Sequence, residues 1–257
     1  SLCKRVHTVP MRRSRLRDGL ALGRSLLSRQ PFLILRDQVP AMKQSLEKIL
    51  AEGEFDAVHA DQLWMASYAQ HAGTVLRARG KAARLVLDQH NAVYLIPQRM
   101  AHESRQPLMK RMLEHESMAL GRYEREICQK FDHVVWVTEQ DRQPVQRLDP
   151  MNVQLADERR NPVIPICVDA SLMTPLQRTA TPETAFFLGG MHWPPNAEGV
   201  EWFASQVLPL IQAQRPGLRV LAVGKNPPER IQNLPGVRAP GYVSDPEPWW
   251  QEAGVFV

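Results

Sequence analysis

Cysteine is scarce in this chain, and its placement matters more than its number: Cys3, Cys128 and Cys167 lie far apart, with no C-x-x-C pair. That excludes a disulfide framework and a cysteine-built zinc knuckle. Long apolar runs are missing too, none approaching the roughly 18 to 20 residues that span a bilayer. The opening SLCKRVHTVP carries charge but no apolar stretch of the kind a secretory signal needs. Together these absences point to a reducing, cytoplasmic setting. Several catalytic signatures are also absent: there is no G-x-S-x-G, no Walker loop and no G-x-G-x-x-G. HESRQ and HESMA begin like zinc-protease helices. The fourth residue after the histidine is Gln106 in one and Ala119 in the other, so neither offers a second ligand.

What is present suffices for one large or two medium cores: 257 residues, 44% hydrophobic and 23% charged. The charge is unevenly spread. Residues 1–36 hold nine Arg or Lys against one acid, Asp18, whereas residues 183–257 hold five basic residues against seven acidic ones. The segment RRSRLRDGLALGRSLL aligns Leu16, Leu20, Gly23 and Leu27 along one helical face, with arginines elsewhere. Two readings stand: a surface for anionic lipid or phosphate, or a solvated helix whose apolar side packs on a sheet. Nucleic acid is not expected as a partner, because no aromatic residues interleave with these arginines.

Short β-rich runs alternate with longer helical patterns: FDAVHA (55–60), ARLVLDQH (83–90), FDHVVWVT (131–138), PVIPI (162–166), AFFLGG (185–190), LRVLAVG (218–224) and GVFV (254–257). This alternation predicts an α/β chain with parallel sheets, and the continuous apolar runs predict strands covered by helices on both faces. Met109, Leu113, Leu120, Tyr123, Ile127 and Phe131 repeat at helical spacing, as do Val200, Phe203, Val207 and Ile211, where Pro209 should kink or shorten the helix. Glu114, Glu116, Glu124 and Glu126 on the first of these helices read as a solvated face. Residues 167–184, with two prolines, four threonines and no sustained period, form the expected boundary. The predicted layout is a first domain over 1–166, a linker over 167–184 and a second domain over 185–257. These are two tandem Rossmann-like sheets, with a nucleotide- or sugar-binding cleft at the carboxyl ends of their strands.

The stretch FFLGGMHWPPNAEG (186–199) leaves a strand through two glycines and enters a helix. Gly189 and Gly190 let the backbone turn tightly and come close to a ligand. Asn196 is the expected N-cap, and the unpaired amides of the following turn could seat a diphosphate without a metal. Trp193 is expected to be packed, wedged by Pro194 and Pro195.

This stretch and its continuation through VEWFASQVLPLIQAQRPGLRVLAVGKNPPERIQNL and GVRAPGYVSDPEPWWQEAGVFV resemble the donor domain of retaining GT-B glycosyltransferases of the group-1 family. FDAVHADQLWMASYA, LVLDQHNAVYLIPQRMA, YEREICQKFDHVVWVTEQDR and VIPICVD resemble the acceptor domain in the same order and spacing, so the likeness runs over about residues 55–257. Bacterial enzymes of polysaccharide and surface-glycan assembly are the most similar in character. The resemblance implies that His90, in LDQHN, lines the site near the transferred sugar. It implies that Gly190, His192, Trp193 and Asn196 form the loop facing the donor phosphates, and that Lys225 reaches those phosphates. It implies also that Tyr242, Val243 and Asp245, in GYVSD, bracket the nucleotide base. The family's basic pair is missing from the loop, so phosphate charge would rest on amides and Lys225. A glycine-rich loop and an E-x7-E element of the family are expected beyond the two ends, and the chain reads as a fragment with both domains incomplete.

The implied activity is transfer of a hexose, with retention, from a nucleotide-sugar donor to a glycan or lipid-linked acceptor, at the inner face of a membrane. No metal and no redox cofactor are implied. A nucleotide-sugar epimerase of GT-B fold and a non-catalytic binding protein of the same fold are the alternatives.

Overall fold

The computed structural model describes residues 3–172, 175 and 182–257. Of the expected 167–184 linker, residues 173–174 and 176–181 therefore lie outside the described residues. The chain divides into two compact units, Ser1–Val168 and Asp169–Val257. Each carries one sheet, and every strand pairing is parallel.

The first unit opens with α1 (Arg15–Ser28), α2 (Phe32–Arg36) and α3 (Pro40–Glu52). Helix α1 starts where the Ser14 hydroxyl accepts the Arg17 N–H at 3.2 Å, and ends at Arg29 in the left-handed region (φ 57°). Strands and helices then alternate: β1 (Ala57–Asp61), α4 (Ala66–Ala78), β2 (Arg84–Gln89), α5 (Leu95–Glu103), α6 (Pro107–Cys128), β3 (His133–Trp136), α7 (Glu139–Arg147) and α8 (Val153–Ala156). The sheet order is β1-β2-β3, with Ala60 beside Leu87 and Leu87 beside Val134.

Because these strands are neighbours in sequence as well as in space, right-handed crossovers put their helices on the same side. That side buries Ala60, Leu87, Val134 and Trp136 against Leu63, Leu120, Ile127 and Val145. The opposite side carries His59, Asp61, Arg84, Asp88 and His133, none of them buried. Helices on both faces, expected from sequence, are thus corrected for this sheet. PVIPI is also corrected: it forms a single bridge, Val163 to Trp136, rather than a strand. Pro162 and Pro165 have no N–H to extend a ladder, which suits only a partial edge.

The second unit runs β4 (Thr184–Leu188), α9 (Pro194–Trp202), a π-helical turn (Phe203–Val207), α10 (Leu208–Gln212), β5 (Arg219–Val223), α11 (Glu229–Gln232), β6 (Val237–Gly241), α12 (Glu247–Trp250) and β7 (Val255–Phe256). Its sheet order is β6-β5-β4-β7, and both faces are covered. Ala185, Val220 and Ala222 meet Val200, Leu208 and Ile231 on one side, while Phe186, Leu221 and Val223 meet Val243, Trp249 and Trp250 on the other. Pro209 has the expected effect: it lacks an N–H, and the chain widens into a π turn just before it. Strand β6 was not expected. Its VRAPG sequence holds a proline that only an edge strand accommodates, and the register slips between Leu221 and Val223 opposite it. Among the described residues no helix is long and apolar enough to cross a membrane.

Candidate functional site

In the first unit, chemistry gathers where β1 and β2 end. Asp61 closes β1, Asp88 lies beside it in register on β2, and His90 follows β2 directly. His90 Nδ1 lies 3.3 Å from the Gln62 side-chain amide, and its other ring nitrogen lies 3.0 Å from Asp61 Oδ1. Asp88 Oδ1 is 3.8 Å from the same nitrogen, and Asp88 Oδ2 is 3.8 Å from His59 Nε2. Asp61, Asp88 and His90 each offer one atom within 4.8 Å of the others, a set that could hold a divalent ion. Gln62 sits at φ 68°, an unusual conformation for a residue with a side chain, with its N–H on the Asp88 carbonyl at 2.9 Å.

The loop after β2 is pinned by two carboxylates from other elements. Glu124, on α6, accepts the N–H groups of Val93 (2.8 Å) and Tyr94 (2.8 Å) and the side-chain amide of Gln89 (2.7 Å). Asp141 accepts the Ala92 N–H at 3.1 Å, and the Thr138 hydroxyl donates to its other oxygen. Glu124 is fully buried, and burial pushes its carboxyl up to about 7 against the lowering pull of its N–H donors. The solvated-face expectation is therefore wrong for Glu124. It is wrong also for Glu116, which is buried and takes the N–H groups of Phe32 (2.7 Å) and Leu33 (3.0 Å) at the start of α2. The signal was available in the spacing: Glu116, Leu120, Glu124 and Ile127 share one helical face, so two acids interrupt an apolar stripe. Gln62, Asp61, Glu124 and Asp141 were all missed from sequence.

In the second unit, the carboxyl ends of β4, β5 and β6 bring together Gly190, His192, Lys225 and Tyr242. The exits are tied by backbone: Gly189 N–H to Val223 O (2.9 Å), Met191 N–H to Lys225 O (2.9 Å) and Gly224 N–H to Gly241 O (2.9 Å). Lys225 Nζ lies 4.8 Å from the centre of the Tyr242 ring, a cation–π contact that holds the ammonium at the sheet edge. The N–H groups of Gly190 and His192 have no partner among the described residues. Asn226, next to Lys225, sits at φ 53°, a conformation asparagine tolerates.

Three expectations about this loop change. Asn196 is not the N-cap. The helix begins at Pro194 with Trp193 as its cap, because proline's fixed φ favours the first helical position. Pro194 and Pro195 carry no N–H, and the N–H groups of Asn196 and Ala197 both go to Trp193 O, at 3.1 and 3.4 Å, so the helix start offers no free amide. The Asn196 side chain instead donates to Gly190 O at 3.0 Å and straps the loop. Trp193 is not packed but 52% exposed. Val243 belongs to the core with Phe186 and Trp249, and Asp245 accepts the Glu247 N–H at 2.9 Å, shaping the start of α12.

Two all-parallel sheets among the described residues of an α/β chain define a Rossmann-like class of protein, consistent with a GT-B Rossmann-like fold. Residues 182–257 match the family described as glycosyl transferases group 1. No curated protein matches the chain. The match supports a transferase acting on a sugar donor and an acceptor, and it covers Gly190, His192, Lys225 and Tyr242.

Proposed function

We propose that this protein is a retaining hexosyltransferase. It uses a nucleotide-sugar donor and a glycan or lipid-linked acceptor, building polysaccharide or surface glycan at the cytoplasmic face of a membrane. The observation that carries the reading is the grouping of two unpartnered amides and a ring-held ammonium on one sheet edge. A diphosphate needs just such donors, and charge-assisted hydrogen bonds from them would stabilise the negative charge that builds on the leaving phosphate. The departing diphosphate then assists deprotonation of the acceptor hydroxyl on the same face, which accounts for retention. His90, its ring oriented by Gln62 and Asp61, supplies a positioned polar contact to the transferred sugar. The reaction in this form needs no metal ion.

Isothermal titration with UDP, GDP and ADP in EDTA-containing buffer tests the reading. At least one should bind, and Lys225→Ala should weaken it by about tenfold, on the order of 1 to 2 kcal/mol. No binding by any of the three would end it. With the donor known, His90→Ala in the full-length enzyme should cut turnover at least about tenfold without changing Tm. A second reading, a binding protein of the same architecture, is favoured by the start of α9, where two prolines withhold amides from the phosphates. It keeps nucleotide binding and shows no turnover.

A further inference from the structure

Helix α1 is turned inside out. The side it shows to the protein is Asp18, Ala21, Leu22 and Ser25, and the one fully buried residue is Ser25, whose hydroxyl donates to Gln30 O at 2.7 Å. Leu16, Leu20, Leu26 and Leu27 face water, Leu27 at 90% exposure. This corrects the reading of the helix as packed on a sheet, since its neighbour is α2 and Leu16, Leu20, Leu26 and Leu27 point away.

Beside these leucines, α1, α2 and the start of α3 enclose an open cavity of about 530 Å³. Leu20, Leu35 and Val39 floor it, and Arg24 and Lys43 edge it. Two other cations there are already occupied. Arg36 grips Asp37 in a bidentate pair at 2.8 and 3.0 Å, and Arg17 donates to the carbonyls of Arg12 (2.8 Å) and Gln38 (3.1 Å). The Arg24 guanidinium and Lys43 ammonium have no hydrogen-bond or ion-pair partner among the described residues. Leu20 and Arg24 also border a shallow apolar hollow that runs over Gly19 and Gly23 to Leu27, and a Cβ on either glycine would meet nothing within 4 Å. Free cations and bare hydrocarbon thus adjoin on one face.

We propose that this face docks on an anionic lipid bilayer, a headgroup phosphate entering between Arg24 and Lys43 while Leu16, Leu20 and Leu27 enter the acyl boundary. The inference deepens the membrane part of the functional reading and is independent of the transfer chemistry. Charge complementarity selects the occupant. Nine basic residues against one acid over residues 1–36 repel a second copy of the same face. A free phosphate would leave the leucines unused. A nucleic acid would find leucines where stacking aromatics are wanted. Basic residues flanking exposed leucines on one helix are what an interfacial helix requires.

The test is co-sedimentation of the full chain with vesicles of pure phosphatidylcholine and of phosphatidylcholine with 30% phosphatidylglycerol, at about 0.1 M salt. Binding to the anionic vesicles should be at least about tenfold stronger. Arg24→Gln with Lys43→Gln should lower it about tenfold or more, and Leu20→Ser with Leu27→Ser should lower it similarly at unchanged charge. Circular dichroism checks the fold; should a double variant fail it, Leu27→Ser alone carries the test, since that side chain is 90% exposed. Equal binding to both vesicle types, binding to neither, or leucine variants that bind like wild type would overturn the proposal. So would release of the chain by inorganic phosphate or duplex DNA, or a dimer that Leu27→Ser dissolves. Nucleoside-diphosphate titration of the same variants should be unchanged, so loss of docking and loss of the transferase reading are separable results.

Discussion

The two candidate sites sit on strand exits that are held in opposite ways. After β2, side chains do the holding: Glu124 and Asp141 reach from α6 and α7 to the N–H groups of residues 92–94, and Gln62 and Asp61 orient the His90 ring. After β4 and β5, the backbone does it, through amide-to-carbonyl bonds between neighbouring exits and glycines that let them approach. A loop held by side chains is tuned by their ionisation and breaks one contact at a time. A loop held by backbone is indifferent to pH but intolerant of a single added carbon where two chains touch.

The largest effect should therefore come from Gly224. It has φ +156°, and a Cβ there would overlap the carbonyl of Gly189, main chain that no rotamer change can move. Gly224→Ala should destabilise the second unit by at least about 4 kcal/mol, in the range reserved for overpacking combined with backbone strain. Hydrogen exchange should show the amides of β4, β5 and β6 losing protection while those of β1, β2 and β3 keep theirs. Unchanged exchange throughout would mean that the exits can part freely, and the comparison would lose its backbone half.

A smaller effect, visible in its pH dependence, is expected at Glu124. Its carboxyl is raised from 4.5 to about 7 in the folded protein, so folding takes up a proton. The stability this contributes is fully present below about pH 4.5 and is lost as pH rises through about 7, an amount on the order of 3 kcal/mol. Gln89 Oε1, buried without a partner, could accept from the protonated acid if its amide turned over. Glu124→Gln removes the titration at the price of one hydrogen bond to the loop. The stability gap between wild type and variant, from urea unfolding, should shrink between pH 5 and pH 8. A gap that stays constant would show that the carboxyl is ionised throughout and that its three N–H donors outweigh burial.

The contrast also explains what could be read from sequence. Apolar runs end where strands end, so the placement of His90, Gly190 and Lys225 at or just after strand exits was legible. Periodicity located α6 and the neighbourhoods of six of the seven strands among the described residues, because apolar spacing reports burial directly. Residues that act at long range were legible only in part. Glu124 interrupts an apolar stripe, which reports its burial, but it touches a loop about thirty positions away in sequence (Val93, Tyr94), a partner that spacing on its own helix does not reveal. Gly224 looked like any strand-terminating glycine, because the need for it is set by Gly189, which reaches it only through sheet pairing. Pro194 and Pro195 already exclude two amides at the helix start on sequence grounds, whatever side chain follows them at Asn196.

Gly190 makes the smallest structural prediction and the sharpest functional one. It resembles Gly224 in sequence, at the end of an apolar run, yet a Cβ on it would first meet the His192 ring, at 2.5 Å from Cε1 and 2.8 Å from Nδ1. That ring is exposed and can swing aside. Gly190→Val should thus change stability by no more than about 1 kcal/mol. It should nevertheless crowd the two unpartnered amides, at 190 and 192, that are to meet the donor phosphates, and weaken nucleoside-diphosphate binding by about 1 to 3 kcal/mol. Urea unfolding and isothermal titration on the same preparation separate the two. Unchanged stability with weakened binding marks the loop as phosphate-facing, whereas unchanged affinity would return it to being a turn and leave Lys225 as the donor-side contact to be explained.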